Sequence, residues 1–364
     1  MQTFPKIPET MSGILVEKTG GIEVLQYKTD LPVPKLKPGE VLVRNEFVGV
    51  NYVDIHMRTG AFPTPRPFIP GREAAGTIAA MHPTMINNYI TTPDNPHDLQ
   101  IGQRVVYIGD LPCSADLETA AASLLQGLTA LAFVRAAAGL PSPGPPLPRG
   151  TTDPGAFNRA FGPRPWALVH SAAGGTGSLL AAVLAMHGAR VIGTVVEQEG
   201  DGVGSGGGGG VGRTHKAAVA RKHGAQWVVD RRREDVVARV REITGGKGVD
   251  VIFNGVGDET FEDDLKMAAK DGTVVVFGAA QSGSVSPVPL SKLREKNLKL
   301  MSPSMSTYIA DQEARDAYVQ ELFELIQSGK VSIDVHKVYR LQDVGHAHAD
   351  LEGRKTTGKL LLRV

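Results

Sequence analysis

The spacing of apolar and polar residues changes about one third of the way along the chain. Residues 12–18 and 22–27 alternate around Gly20-Gly21, which is a hairpin pattern. Val41-Leu42-Val43-Arg44 and Phe47-Val48-Gly49-Val50 extend it. Gly76-Thr77-Ile78-Ala79-Ala80 and Gln103-Arg104-Val105-Val106-Tyr107 predict further short strands. Helices enter from Ser114 onward: one over Asp116 to Ala122, capped by Ser114 or Asp116, and a second over Thr129 to Ala138. Strands at 166–171, 190–195, 226–230, 249–253 and 273–277 then alternate with helices at 176–187, 214–223, 234–243 and 259–270. Continuous apolar strands separated by helices predict an α/β fold, a doubly wound parallel sheet covered on both faces. A helix from Asp311 to Ser328 and a last strand, Lys359 to Arg363, close the chain.

Two segments break this order. Pro141 to Pro165 is rich in Pro and Gly, and Gly200 to Gly212 is nearly all Gly. Neither buries enough apolar surface to offset its ordering entropy, so both read as surface loops. The 364 residues are enough for two domains. A net charge of +1 offers no basic excess for nucleic acid. The single cysteine, Cys113, forms no intrachain disulfide, which fits a cytoplasmic protein, and it supplies no thiolate cluster for a metal. Met1 to Met11 lacks the apolar centre of a secretory signal, and no uninterrupted apolar run has membrane-spanning length. His346-Ala347-His348 reads as a pair of surface histidines, because i and i+2 do not face each other on a helix.

The densest chemical signal is Trp166-Ala167-Leu168-Val169-His170-Ser171, then Ala172-Ala173-Gly174-Gly175-Thr176-Gly177, then the apolar run from Ser178. A buried strand runs into a glycine-rich turn from which a helix starts. This layout lets backbone approach a pyrophosphate and aims free N–H groups and a helix dipole at it. The second strand ends at Thr194-Val195 with no acid to hold the ribose hydroxyls of NADH, and the small Thr194 leaves room for a 2′-phosphate. Lys216 and Arg231 are the candidate cations, favouring NADPH. Glu197 is the countersign, an acid within reach if the Gly-rich segment folds back.

Gly49-Val50-Asn51-Tyr52-Val53-Asp54 and Pro70-Gly71-Arg72-Glu73-Ala74-Ala75-Gly76 resemble the medium-chain dehydrogenase/reductase superfamily. Its zinc-dependent members would carry Cys in place of Asn51 and His in place of Arg72, so no metal site is expected. Arg58-Thr59-Gly60, Gln126-Gly127-Leu128-Thr129-Ala130, Phe253-Asn254-Gly255-Val256-Gly257, Phe277-Gly278 and Gly358-Lys359-Leu360 extend the likeness. Together with the turn at 172–177, they are similar to the quinone oxidoreductase (zeta-crystallin) family over most of the chain.

The resemblance implies a GroES-like β-rich substrate domain over 1–127 completed by 291–364, a Rossmann domain over 128–290, and a homodimer. The implied activity is reduction of a quinone by NADPH without metal or flavin. It puts Asn51 and Thr129 near the nicotinamide, and Gly174, Gly175, Thr176 and Gly177 on the pyrophosphate. Lys216 falls on the 2′-phosphate, with Phe277 and Gly278 on the nicotinamide side and Gly255 and Lys359 as further cofactor contacts. Asn51, His56 and Arg72 are the candidate donors to the developing quinone oxyanion.

The chain also departs from the pattern. His56 and Arg231 stand where Tyr is common, and a β-hairpin is missing between Tyr107 and Leu111, which leaves a sheet edge open. Alternative readings are reduction of enal or enone double bonds and a non-catalytic protein that binds NADPH or AU-rich RNA. For RNA, Arg231-Arg232-Arg233 is the one short basic cluster.

Overall fold

The computed structural model describes residues 7–85, 99–108, 117–139, 154–197, 216–278 and 286–364. Cys113, the helix cap at Ser114 or Asp116, the missing hairpin after Tyr107, residues 140–153 of the Pro-rich segment and the Gly200–Gly212 segment lie outside the described residues.

The chain opens with β1 (Thr10–Leu15), β2 (Gln26–Pro32), β3 (Val41–Val50), α1 (Tyr52–Thr59), β4 (Glu73–Met81) and β5 (Arg104–Ile108). Next come α2 (Leu117–Ala137) and α3 (Pro154–Phe161). The alternating run follows: β6 (Trp166–Val169), α4 (Gly175–Met186), β7 (Arg190–Val195), α5 (Lys216–Lys222), β8 (Trp227–Asp230), α6 (Val236–Thr244), β9 (Val249–Asn254), α7 (Asp258–Met267) and β10 (Ala268–Val276). α8 (Ser291–Arg294), β11 (Lys299–Met301), α9 (Met305–Tyr308), α10 (Gln312–Gln327), β12 (Val335–Arg340), α11 (Val344–Glu352) and β13 (Lys359–Arg363) complete it.

The chain forms two compact units. One comprises Met1–Leu125, Val335–Gly353 and Lys359–Val364; the other comprises Gln126–Asp334 and Arg354–Gly358. In the second unit six parallel strands lie in the order β11-β10-β9-β6-β7-β8. Leu168 sits between Ile192 and Ile252, and these residues share a core with Val229, Val240 and Phe261. β6 and β9 are neighbours although α4 to α6 separate them in sequence. The strand order therefore reverses there, and in open parallel sheets ligands bind outside the carboxyl ends of the strands at such a switch point.

Residues 291–334, expected with the chain ends, belong instead to this unit. β11 pairs with β10, Leu322 of α10 packs where a side chain on Gly127 would stand, and Glu321 bonds Arg135 at 2.7 Å. That packing also involves α2. The sequence suggests two helices broken near Gln126-Gly127, but one helix runs through, and Gly127 takes Leu322 against it with Cδ1 2.5 Å from the Cβ position. α2 is long and apolar enough to cross a membrane by composition, yet most of that span is buried inside the protein.

In the first unit the order β12-β13-β3-β4-β5 joins the two chain ends, with β13 antiparallel to β3 and parallel to β12. The expected hairpin is present as β1 and β2, although its second strand starts at Gln26 and Ile22–Val24 form a 3₁₀ turn. β5 ends the sheet order, with β4 as its partner among the described residues. Arg58 is fully buried. It donates to the carbonyl of Gly20 (3.2 Å), to Nδ1 of His348 (3.2 Å) and to Glu352 (2.8 Å). The reading of two surface histidines therefore holds for His346 alone. α11 turns His348 inward, where burial and the neighbouring guanidinium push its pKa down to about 4.

Gly76 sits beside a register irregularity of the antiparallel β3–β4 pair, with its Cβ position 2.1 Å from the Arg44 carbonyl oxygen. Gly76→Ala is expected to lower stability by about 2–3 kcal/mol in denaturant unfolding. Gly345→Ala, in α11 with its nearest neighbour at 3.8 Å, is expected to be neutral or stabilising by up to about 1 kcal/mol.

Candidate functional site

In the six-stranded unit, β6 runs into a turn that folds back tightly. Ser171 adopts φ 53°, Gly174 N–H donates to Ser171 O at 2.8 Å, and α4 begins at Gly175. A Cβ on Gly177 would lie 2.2 Å from Ser171 O, and one on Gly175 would lie 2.1 Å from the Gln126 amide. At Gly177 the obstacle is backbone, so only glycine allows this closure there. The first backbone N–H groups of α4 (Gly175, Thr176 and Gly177) precede its first intrahelical bond and point out of the helix start. α4 itself is apolar on all sides and buried, so its axis is held firmly. This is a cradle that fits a pyrophosphate.

The turns after β9 and β10 form the other half. A Cβ on Gly278 would lie 2.4 Å from Gly255 O, and one on Gly255 would lie 2.9 Å from the Phe277 ring. Phe277 N–H donates to Asn254 O at 3.0 Å. The Phe277 ring packs at 5.4 Å on Phe133, one helical turn after the buried Thr129 in α2. The structure thus brings Gly174 to Gly177, Gly255, Phe277, Gly278 and Thr129 into one unit.

At the ends of β7 and β8 several expectations are corrected. Thr194 does not line open space. It is fully buried and its hydroxyl is hydrogen-bonded to His170 Nδ1 at 2.9 Å. The Lys216 ammonium is held as a strut, donating to the carbonyls of Val196 (2.8 Å) and Arg354 (2.6 Å). Glu197, the possible ribose acid, is committed to the start of α5, accepting the N–H of Ala217 at 2.9 Å and that of Lys216 at 3.4 Å. Arg231 keeps a cationic role. It pairs with Glu259, which also takes Arg354 at 2.6 Å, and these bonds, Arg354 first, hold the Glu259 carboxyl below its usual range. Two guanidiniums on one carboxylate leave a net positive cluster. Arg354 was missed in the sequence; the only hint was its position four residues before Gly358, whose N–H donates to Ala173 O at 2.8 Å beside the turn. The basic run behind the RNA alternative is opposed by acids, Arg231 by Glu259 and Arg233 by Asp230 at 3.4 Å.

The five-stranded unit holds Asn51, His56, Arg72 and Lys359. Lys359 is not at a surface. Its ammonium, 1 % exposed, donates to Asn51 Oδ1 at 2.7 Å and to the equally buried Glu73. The Asn51 amide donates to Glu73 Oε1 at 3.0 Å and to Gly49 O at 3.2 Å. Both amide hydrogens are therefore used, which corrects the expectation that Asn51 donates to an oxyanion. Glu73 Oε2 accepts Leu125 N–H at 2.7 Å. Arg72, beside it, is exposed. His56, on α1, is half-buried with its pKa lowered by desolvation, so the neutral ring is favoured. Asp54 accepts the Asn51 backbone N–H at 2.8 Å through Oδ2, while Oδ1 is buried without a partner. Burial raises its pKa to about 6 despite Lys359.

Family models match over residues 37–143 (alcohol dehydrogenase GroES-like domain) and 223–362 (zinc-binding dehydrogenase). The chain is 32% identical over 97% of both chains to a probable quinone oxidoreductase of Schizosaccharomyces pombe. A crystal structure of Escherichia coli quinone oxidoreductase complexed with NADPH superposes with a TM-score of 0.77 at 32% identity, covering 97% of this chain and all of that one. A 2-haloacrylate reductase from a Burkholderia species is 27% identical over 96% of this chain and 97% of its own. Zinc does not fit the positions where the zinc-dependent branch would ligate it. Arg72 is a cation with no lone pair, and an ammonium sits 2.7 Å from Asn51 Oδ1.

Because Lys359 and Glu73 compensate each other, Lys359→Met is expected to cost about 3–5 kcal/mol in denaturant unfolding, much of it recovered by adding Glu73→Gln. Asp54 has its folded pKa raised from 3.8 to about 6, so its stabilising share is complete below pH 3.8 and lost as pH rises through 6. Asp54→Asn should therefore be more stable than the parent by about 3 kcal/mol at pH 7.5 and show no such gain at pH 3.5, read from unfolding curves at both values.

Proposed function

The chain belongs to the quinone oxidoreductase family of the medium-chain dehydrogenase/reductase superfamily, and we infer from this membership and from the cradle at Gly174–Gly177 that it reduces quinones with NADPH. The observation that carries the reading is the helix start at Gly175, where the turn from Ser171 closes on Gly177 so tightly that a Cβ there would lie 2.2 Å from a backbone oxygen.

NADPH, when bound, supplies a hydride from its nicotinamide, and with one proton from water the quinone becomes a hydroquinone. The chain's own residues hold and orient. The N–H groups of Gly175, Thr176 and Gly177 meet the pyrophosphate. Arg231 and Arg354 meet the 2′-phosphate, with Lys216 tying the backbone of Arg354 to that of Val196. Gly255, Phe277 and Gly278 form a flat wall for the nicotinamide ring, with Thr129 beside Phe133. Asn51 orients by accepting at Oδ1, and neutral His56 and exposed Arg72 are the donors to charge developing on the acceptor oxygen. A second reading, reduction of an activated carbon–carbon double bond, is supported by the likeness to the 2-haloacrylate reductase and uses the same hydride donor. The reading includes a cytoplasmic homodimer paired through β11, the three-residue strand that ends the six-stranded sheet among the described residues.

Purified protein with NADPH and 9,10-phenanthrenequinone is expected to consume the nicotinamide absorbance; no consumption with any of a panel of quinones and enones would reject the enzyme reading. NADH should serve at least about tenfold less well, and the double variant Arg231→Gln/Arg354→Gln should raise KM for NADPH about tenfold while leaving that for NADH unchanged. A light-scattering mass equal to one chain would reject the dimer.

A further inference from the structure

Beneath the cradle lies a polar chain that the reaction above does not use. His170, Thr194, Asp264 and Asn254 are all buried, and they come from four different elements or their ends. The His170 ring bonds Asp264 Oδ1 through Nε2 at 2.7 Å and the Thr194 hydroxyl through Nδ1 at 2.9 Å. The other Asp264 oxygen accepts Asn254 Nδ2 at 2.6 Å. Asn254 Nδ2 also donates to Gly257 O at 3.2 Å, and Asn254 Oδ1 accepts the N–H groups of Val256 and Gly257, both at 2.8 Å.

Burying a carboxylate is costly, and a well-packed apolar set would serve stability as well or better. The chain of bonds supplies geometry instead. An Asn amide has two faces of nearly equal shape that differ only in hydrogen bonding. With Asp264 facing Nδ2, one orientation alone is allowed, and Oδ1 must point at the two backbone N–H groups of the turn. Without Asp264, Nδ2 keeps only the longer bond to Gly257 O at 3.2 Å, so the side chain is held less firmly against the turn. Gly255 lies in that turn, against Phe277 and Gly278, in the half of the sheet that takes the second mononucleotide of a dinucleotide.

We propose that His170 and Asp264 are positioning residues for the nicotinamide half of the cofactor, acting through Asn254 on the backbone of residues 255–257. The inference rests on the NADPH reading of this site. Asp264→Ala removes the acceptor of Asn254 Nδ2 outright, so that end of the Asn254 clamp is released. The test is a fluorescence titration with NADPH beside a calorimetric titration with 2′,5′-ADP, which carries only the adenosine half, after circular dichroism has established that the variant is folded. The expected result is an NADPH affinity weaker by about tenfold with 2′,5′-ADP within about twofold of the parent. Asn254→Ala cuts the same clamp at its far end, must give the same asymmetry, and stands in if Asp264→Ala does not fold. NADPH affinity within about twofold of the parent, or equal losses for both ligands, overturns the proposal. A parent protein that binds neither ligand overturns the NADPH reading and this inference with it, whereas a parent that binds both, with variants lacking the asymmetry, overturns this inference alone.

Discussion

The cofactor site depends on how closely α4 approaches the end of β6. A main-chain oxygen stands 2.2 Å from the point where any side chain on Gly177 would begin, and Ser171 takes a left-handed conformation to put it there. The approach converges the first N–H groups of the helix. It also leaves Ala173 O available to Gly358, so a segment from the far end of the chain is hung on the same turn. Because the obstacle is backbone, it cannot swing aside as a flexible side chain would.

Charge inside the protein is used mainly for construction. The ammonium of Lys216 ties two carbonyls, that of Lys359 ties Glu73 to Asn51, and that of Lys296 gathers the carbonyls of Leu265, Lys266 and Ala268 at the end of α7. A buried cation holds its place only with such partners, because an unpaired one is too costly to desolvate. The same physics separates struts from ligand contacts. Arg231 and Arg354 share one carboxylate and retain excess charge, while Lys216 is fastened from both sides.

Elements with a strong period were legible. β7 and β13 have the ends that the apolar runs indicate, and α10 is capped by Asp311 and ends before Ser328 as its pattern suggests. Local pattern failed where a distant residue supplied the missing term. Leu322 packs on α2 at Gly127, Arg58 draws His348 inward, and β12, with alternation too weak to stand out, exists because β13 offers it a parallel partner.

The order of residues alone settled the alternation of strand and helix, the glycine turn and the identity of the family, because these follow from short-range periodicity and from backbone that only glycine permits. Only the tertiary structure decided what each polar side chain does. Thr194, Lys216, Lys359 and Glu197 all read as candidate ligand contacts in one dimension, and each is bound within the protein by partners up to hundreds of residues away. A hydrogen bond depends on distance and direction in space, and spacing along the chain carries neither.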